Sequence, residues 1–250
     1  MVKYVTIAGL YKLLSLSPLT RRFYRFLGNP LGSRMRIKGG LSENYVNQGK
    51  VLINLLEDYC NIKKGDTILE LGTGWVHWYS TFVRIFYDVE MTLFDVWDNR
   101  QLAPLKLYFS QLRDFLCEEP NTDYNRVSKL LDIISSVSSF EELYEMLGYK
   151  YLINKSGSLS GFSDNKFNII FSVAVFEHIN KDILAEYIRD IARILRPGGY
   201  SVHLIDIGDH YHYLDTKNTN MKEYFKYSKK FWKFYFENAI FYMNRVQSSE

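Results

Sequence analysis

Glu70 stands two residues before Gly72, the first of a glycine pair completed by Gly74, at the end of the apolar run Thr67-Ile68-Leu69-Glu70-Leu71. Glycines spaced in this way let a backbone turn sharply out of a strand and come close to a ligand, as dinucleotide-binding loops do. The carboxylate bears on the charge of that ligand. A dinucleotide would set its pyrophosphate beside Glu70, and His77 occupies the place of the fingerprint's third glycine in Gly72-Thr73-Gly74-Trp75-Val76-His77. A cationic cofactor reverses the sign, because an acid at the strand end then attracts it. Trp75 adds a ring suited either to packing or to a cation–π or stacking contact of about 0.5 to 2 kcal/mol.

Five histidines are available for proton transfer, a task that suits imidazole because its pKa lies near the working pH. His203 lies inside an apolar strand-like run and reads as structural. His77 follows the glycine loop and suits capping or packing of the next helix. His178, beside Glu177, and His210, in Asp206-Ile207-Gly208-Asp209-His210-Tyr211-His212, each follow a strand-like run and are the candidate catalytic residues. For His178, capping and packing are the competing uses. Carboxylates and imidazoles also bind metals. His210 and His212, however, are two apart on an extended segment and point to opposite faces, so no metal is expected from this motif.

Four segments in order resemble the class I S-adenosylmethionine-dependent methyltransferases. Glu70-Leu71-Gly72-Thr73-Gly74 is similar to the family's first motif. Met91-Thr92-Leu93-Phe94-Asp95 resembles its second strand, Phe167-Asn168-Ile169-Ile170-Phe171-Ser172 with Val175-Phe176-Glu177-His178-Ile179 its fourth, and Ile194-Leu195-Arg196-Pro197-Gly198-Gly199 the turn before its fifth. The resemblance implies that S-adenosylmethionine is the cofactor. It places Glu70 toward the methionine ammonium and Asp95 on the ribose, with further contacts from Leu71, Gly72, Thr73, Gly74, Trp75, Val96 and Ser172. Val76 departs from the family in replacing a small residue, and Asn168 in replacing an acid.

The elements that must position these residues read as α/β, and the resemblance implies a Rossmann-like sheet of mainly parallel strands in the order 3-2-1-4-5, with helices on both faces. A helix over Tyr45–Tyr59 leads into the first strand, and another over His77–Phe86 follows the loop. The second strand spans 91–96. Residues 98–148 are too long for an ordinary connection and carry helical patterns at Pro104–Cys117, Val127–Val137 and Phe140–Leu147, the last capped by Ser139. They read as a helical insertion that either covers the substrate or pads the sheet edge. Tyr149–Asn154 is the third strand. Lys181–Leu195 is an amphipathic helix stopped by Pro197-Gly198-Gly199, and Tyr200–Ile207 is the fifth strand. The aromatic, basic stretch Asn218–Tyr242 leaves too few residues for the family's final strand pair. The chain therefore reads either as C-terminally incomplete or as a shortened sheet with a covered edge.

Composition fits one sizeable core with an appendage: 250 residues, 47% hydrophobic. Cys60 and Cys117 are isolated thiols and suggest neither a disulfide framework nor a zinc site. With no signal peptide and no long apolar run, a cytoplasmic chain is expected. The formal charge of +3 conceals an asymmetry, since residues 1–42 hold eight basic residues and no acid. A basic helical arm over 1–44 is expected to precede a cofactor-binding domain over 45–250. The arm suits packing on that domain, docking on an anionic membrane surface or polyanion, or targeting. No nucleic-acid module is visible. The expected function is methyl transfer to a hydroxyl or similar nucleophile of a small molecule, sugar or lipid-linked acceptor. The alternative is a degenerate methyltransferase fold serving as a binding or scaffold subunit.

Overall fold

The computed structural model describes residues 2–116 and 123–246. In chain order the main elements are α1 (Val2–Ser15), α2 (Pro18–Gly39), α3 (Glu43–Tyr59), β1 (Thr67–Leu71), α4 (Trp78–Phe86), β2 (Glu90–Asp95) and α5 (Leu102–Leu116). They continue through α6 (Tyr124–Ser136), α7 (Phe140–Leu147), β3 (Lys150–Ile153), β4 (Phe167–Val173), α8 (Leu184–Ile194) and β5 (Leu195–Leu204). The chain divides into two compact units. One comprises Gly32–Val175 and Ala185–Leu204; the other comprises Met1–Leu31, Phe176–Leu184 and Ile205–Glu250.

The larger unit is built on a five-stranded sheet in the order β3-β2-β1-β4-β5, with every pair parallel. Apolar runs such as Ile68-Leu69-Glu70-Leu71 are buried on both faces, as central parallel strands require. Strand order reverses between β1 and β4, and in open α/β sheets such a switch point opens a crevice at the strands' carboxyl ends. The expected insertion forms α5, α6 and α7. Leu105, Phe109, Leu112, Leu131, Ile134 and Leu143 from these helices join one core cluster with α3 and α4. Ser139 caps α7 as expected, accepting the Glu142 N–H at 3.1 Å, while the Glu142 carboxylate accepts the Ser138 N–H at 2.7 Å. Cys60 is buried as a free thiol, and Cys117 lies outside the described residues.

Pro197-Gly198-Gly199 does not form a turn before the fifth strand. Helix α8 ends at Ile194 and the chain passes straight into β5, whose first half contains the Pro-Gly-Gly. Residue Phe167 pairs with Leu195 and Ile169 with Tyr200, so the segment bulges out of register. Gly199 is needed there because a Cβ would stand 2.8 Å from the Asn168 carbonyl oxygen. The helix expected from Lys181 begins with a 3-10 turn at Lys181–Ile183, capped by Asn180.

The smaller unit has an aromatic core of Tyr4, Tyr211, Tyr224, Trp232 and Phe236. It joins α1 to the basic, aromatic C-terminal stretch, which among the described residues forms short helical turns and no strand. Tyr4 donates its hydroxyl to the buried Asp209 carboxylate at 2.5 Å. Among the described residues no helix is long and apolar enough to cross a membrane.

Candidate functional site

The glycine loop leaves β1 with positive φ at both Gly72 (+70°) and Gly74 (+64°), a conformation that costs a side chain about 1–2 kcal/mol. A Cβ on Gly72 would also collide with the Val175 side chain, whereas one on Gly74 would meet only the Gly72 carbonyl oxygen, at 4.0 Å. The end of β2 braces the loop. The Phe94 carbonyl accepts the Gly72 N–H at 2.8 Å and the Thr73 N–H at 3.2 Å. Asp95 Oδ2 accepts the Gly74 N–H at 2.8 Å, and Oδ1 accepts those of Val96 and Trp97 at 2.7 and 3.2 Å. A carboxylate offers about four acceptor sites. Asp95 thus pins the loop and retains capacity for a ligand hydroxyl.

Glu70 lies beneath this turn and is 1% exposed. Thr73 donates its hydroxyl to Glu70 Oε2 at 2.8 Å. Thr73 Oγ1 lies 2.9 Å from His77 Nδ1, and His77 Nε2 lies 2.6 Å from the Tyr144 hydroxyl. With the proton on Nδ1, every bond in the series is satisfied: Tyr144 donates to His77, His77 to Thr73, and Thr73 to Glu70. His77 therefore stands at the N-cap position of α4 without capping it through its side chain. It is a fully buried, neutral packing residue at φ 43°, its pKa driven down to about 3 by burial. Burial raises the Glu70 pKa to about 7 against the hydrogen bonds that favour its charge, and no cation pairs with it among the described residues. A cationic cofactor fits such a loop, because it supplies the missing countercharge to a group that would repel a pyrophosphate.

Among the other expected contacts, Leu71 is fully buried and Val96 is partly exposed at the end of β2. Trp75 is 41% exposed, and the Arg36 guanidinium lies 3.9 Å from its ring centroid. The ring already has a cation on one face. Arg36 is held by Gln101 Oε1 at 3.1 Å, and the Gln101 N–H donates to the Trp75 carbonyl at 2.7 Å. Sequence reasoning missed Arg36, whose signal was only one basic residue among eight. Ser172, on β4, is fully buried, and its hydroxyl lies 2.8 Å from His203 Nδ1. His203 is structural as expected, bonded also to the Ser201 hydroxyl and held neutral near pKa 4 by burial.

The two candidate catalytic histidines meet in the smaller unit. Their ring centroids are 4.9 Å apart, and His210 Nε2 lies 3.9 Å from Glu177 Oε1 and 3.4 Å from Asp206 Oδ2. Burial, aided by His178, lowers the His210 pKa to about 4, and burial raises that of Glu177 to about 7. His210 is thus uncharged at neutral pH but a weak base on its own. His212 points elsewhere, its Nδ1 lying 3.0 Å from the Thr219 hydroxyl. Glu177 is the residue sequence reasoning undervalued, since only folding brings His210 to it.

A family model described as a methyltransferase domain matches residues 47–238. No curated protein sequence matches the chain. Among solved structures, similarity extends to the [4+2]-cyclase SpnF at 16% identity and TM-score 0.36, covering 61% of this chain and 43% of that one. It extends also to phosphoethanolamine N-methyltransferase 2 of Haemonchus contortus bound to S-adenosyl-L-methionine, at 15% identity and TM-score 0.40, covering 65% and 29%. An S-adenosylmethionine-dependent methyltransferase of Mesorhizobium loti is similar at 16% identity and TM-score 0.37, covering 60% and 51%. The chain spans about half or less of the length of these three. At such scores they carry no argument about substrate.

Proposed function

The chain belongs to the family described as a methyltransferase domain, and from that premise we propose that it is a class I S-adenosylmethionine-dependent enzyme that moves the methyl group to a hydroxyl or similar nucleophile of a small molecule, sugar or lipid-linked acceptor. The observation that carries this reading is the uncompensated buried acid Glu70 beneath two positive-φ glycines, braced by Asp95. Gly72 and Gly74 shape the loop, and Glu70 supplies negative charge to the methionine end of the cofactor. Asp95 takes a ribose hydroxyl, and Leu71, Thr73, Trp75 and Val96 line the same turn. The bound cofactor provides an electrophilic methyl. The protein's part is to align the nucleophile and exclude water. A hydroxyl acceptor must also lose a proton, and we assign that task to the cluster of Glu177, His178 and His210.

A screen of small-molecule, sugar and lipid fractions with methyl-labelled cofactor tests this function, labelled product being the expected outcome. Asp95→Ala is expected to weaken cofactor binding by about 1 to 3 kcal/mol through lost charge-assisted hydrogen bonds. Wild-type affinity in that variant contradicts the ribose assignment. Tight cofactor binding with no labelled product from any fraction favours the scaffold alternative.

A second reading concerns α2. Leu19, Phe23, Phe26 and Leu27 recur at helical spacing and are all exposed, with Arg21, Arg22 and Arg25 off that stripe. A basic helix with a bare apolar stripe suits an anionic membrane surface.

A further inference from the structure

One carboxylate oxygen of Glu177 and one nitrogen each of His178 and His210 lie within 4.8 Å of one another, all in the smaller unit. Glu177 is 3% exposed and His210 8%, yet Glu177 Oε2 has no hydrogen-bond partner and His210 Nε2 makes no well-aligned hydrogen bond, its nearest carboxylate oxygen being Asp206 Oδ2 at 3.4 Å. Leaving buried polar atoms without good hydrogen bonds is costly. Two such atoms in one cluster mark a place built for a ligand that accepts lone pairs.

We infer that Glu177, His178 and His210 bind a zinc-class divalent metal ion through a carboxylate oxygen and the two Nε2 atoms. The surroundings set each donor. His178 Nδ1 lies 2.7 Å from the Tyr242 carbonyl oxygen, which can only accept, so Nδ1 carries the proton and Nε2 keeps its lone pair. Glu177 Oε1, 3.9 Å from His210 Nε2, accepts the Asp206 N–H at 3.1 Å, which fixes the carboxylate beside the imidazole. Asn244 anchors the turn that carries both residues, donating its side-chain amide to the carbonyls of Phe176 and Ile179.

Tetrahedral zinc holds its donors at about 2.0–2.1 Å, hence about 3.4 Å from one another. Two imidazoles and one carboxylate give three protein ligands, which leaves a position open as catalytic zinc sites do. His178 is exposed, so exchange with solvent has a path. The expectation of no metal came from pairing His210 with His212. The true neighbour of His210 is His178, from another segment. Metal binding itself is independent of methyl transfer. Only its consequence, that the ion would acidify an acceptor hydroxyl, rests on the proposed function.

The test titrates the chelator-treated full chain with Co²⁺, followed by visible absorption, and with Zn²⁺, followed by calorimetry. One equivalent of either ion is expected, with zinc displacing the cobalt absorption. Glu177→Gln and His210→Ala are each expected to lower affinity at least tenfold, while Asp95→Ala retains it. Glu177→Gln nearly preserves shape, so with an unchanged thermal midpoint it separates ligand loss from misfolding. No uptake by the wild type, or unaltered uptake in both variants, overturns the inference. Cofactor binding measured on the same sample keeps the two readings apart: a chain that binds S-adenosylmethionine but no metal overturns this inference alone.

Discussion

At the residue scale, two carboxylates divide the work at the glycine loop. Asp95 spends three acceptor sites on backbone N–H groups, whereas Glu70 is buried and short of a countercharge. The Glu70 pKa near 7 gives a sign for pH dependence. In the free protein the group is mostly neutral below that value, and a cationic ligand favours the ionised form, so binding releases a proton. Cofactor affinity is expected to rise from pH 5 to pH 7, with calorimetric heats that depend on the buffer, and Glu70→Gln should flatten both. A flat profile in the wild type contradicts the electrostatic role. For stability, the raised Glu70 pKa contributes fully below about 4.5 and loses that contribution as pH climbs to about 7. The lowered pKa of His77 acts the other way: its contribution is present above 6.5 and lost as pH falls toward 3. Gly72→Ala combines a left-handed backbone with a collision against Val175 and is expected to cost about 2 to 4 kcal/mol by denaturant titration. Adding Val175→Ala should recover part of that cost; no recovery contradicts the steric contribution.

At the scale of elements, hydrophobic pattern and motif order made the sheet legible. The apolar runs of β1, β2 and β4 have no polar alternation to confuse their period, and the motifs supply their sequence. The fifth strand was misread because proline and two glycines ordinarily punctuate, and only pairing with β4 turns them into a bulge. The insertion was legible as helices, but its packing was not, since amphipathic faces do not name their partners. Phe109 on α5 is fully buried, with its ring centroid 4.8 Å from that of Trp78 on α4. Phe109→Ala is expected to destabilise the protein by about 3 to 5 kcal/mol in urea unfolding. A loss below about 1 kcal/mol contradicts the membership of α5 in the core. The histidine pair shows the same limit, because nothing in the spacing of residues 178 and 210 says that their rings meet.

At the scale of the whole molecule, the basic charge gathers in the first 42 residues while the remainder is net acidic. Helix α1 has a place in the aromatic core of the smaller unit, but α2 buries none of its residues. Flotation with vesicles rich in anionic lipid should therefore carry the protein upward, less so at high salt, and Phe23→Glu with Phe26→Glu should abolish it. Equal flotation of wild type and variant removes the membrane reading without touching the catalytic one. Calorimetry of the folded protein with S-adenosylmethionine and with NADH, side by side, reads the sign of the cofactor charge that Glu70 accepts. Saturable binding of one equivalent of S-adenosylmethionine and none of NADH is the result expected; NADH binding, or no binding of S-adenosylmethionine, contradicts it.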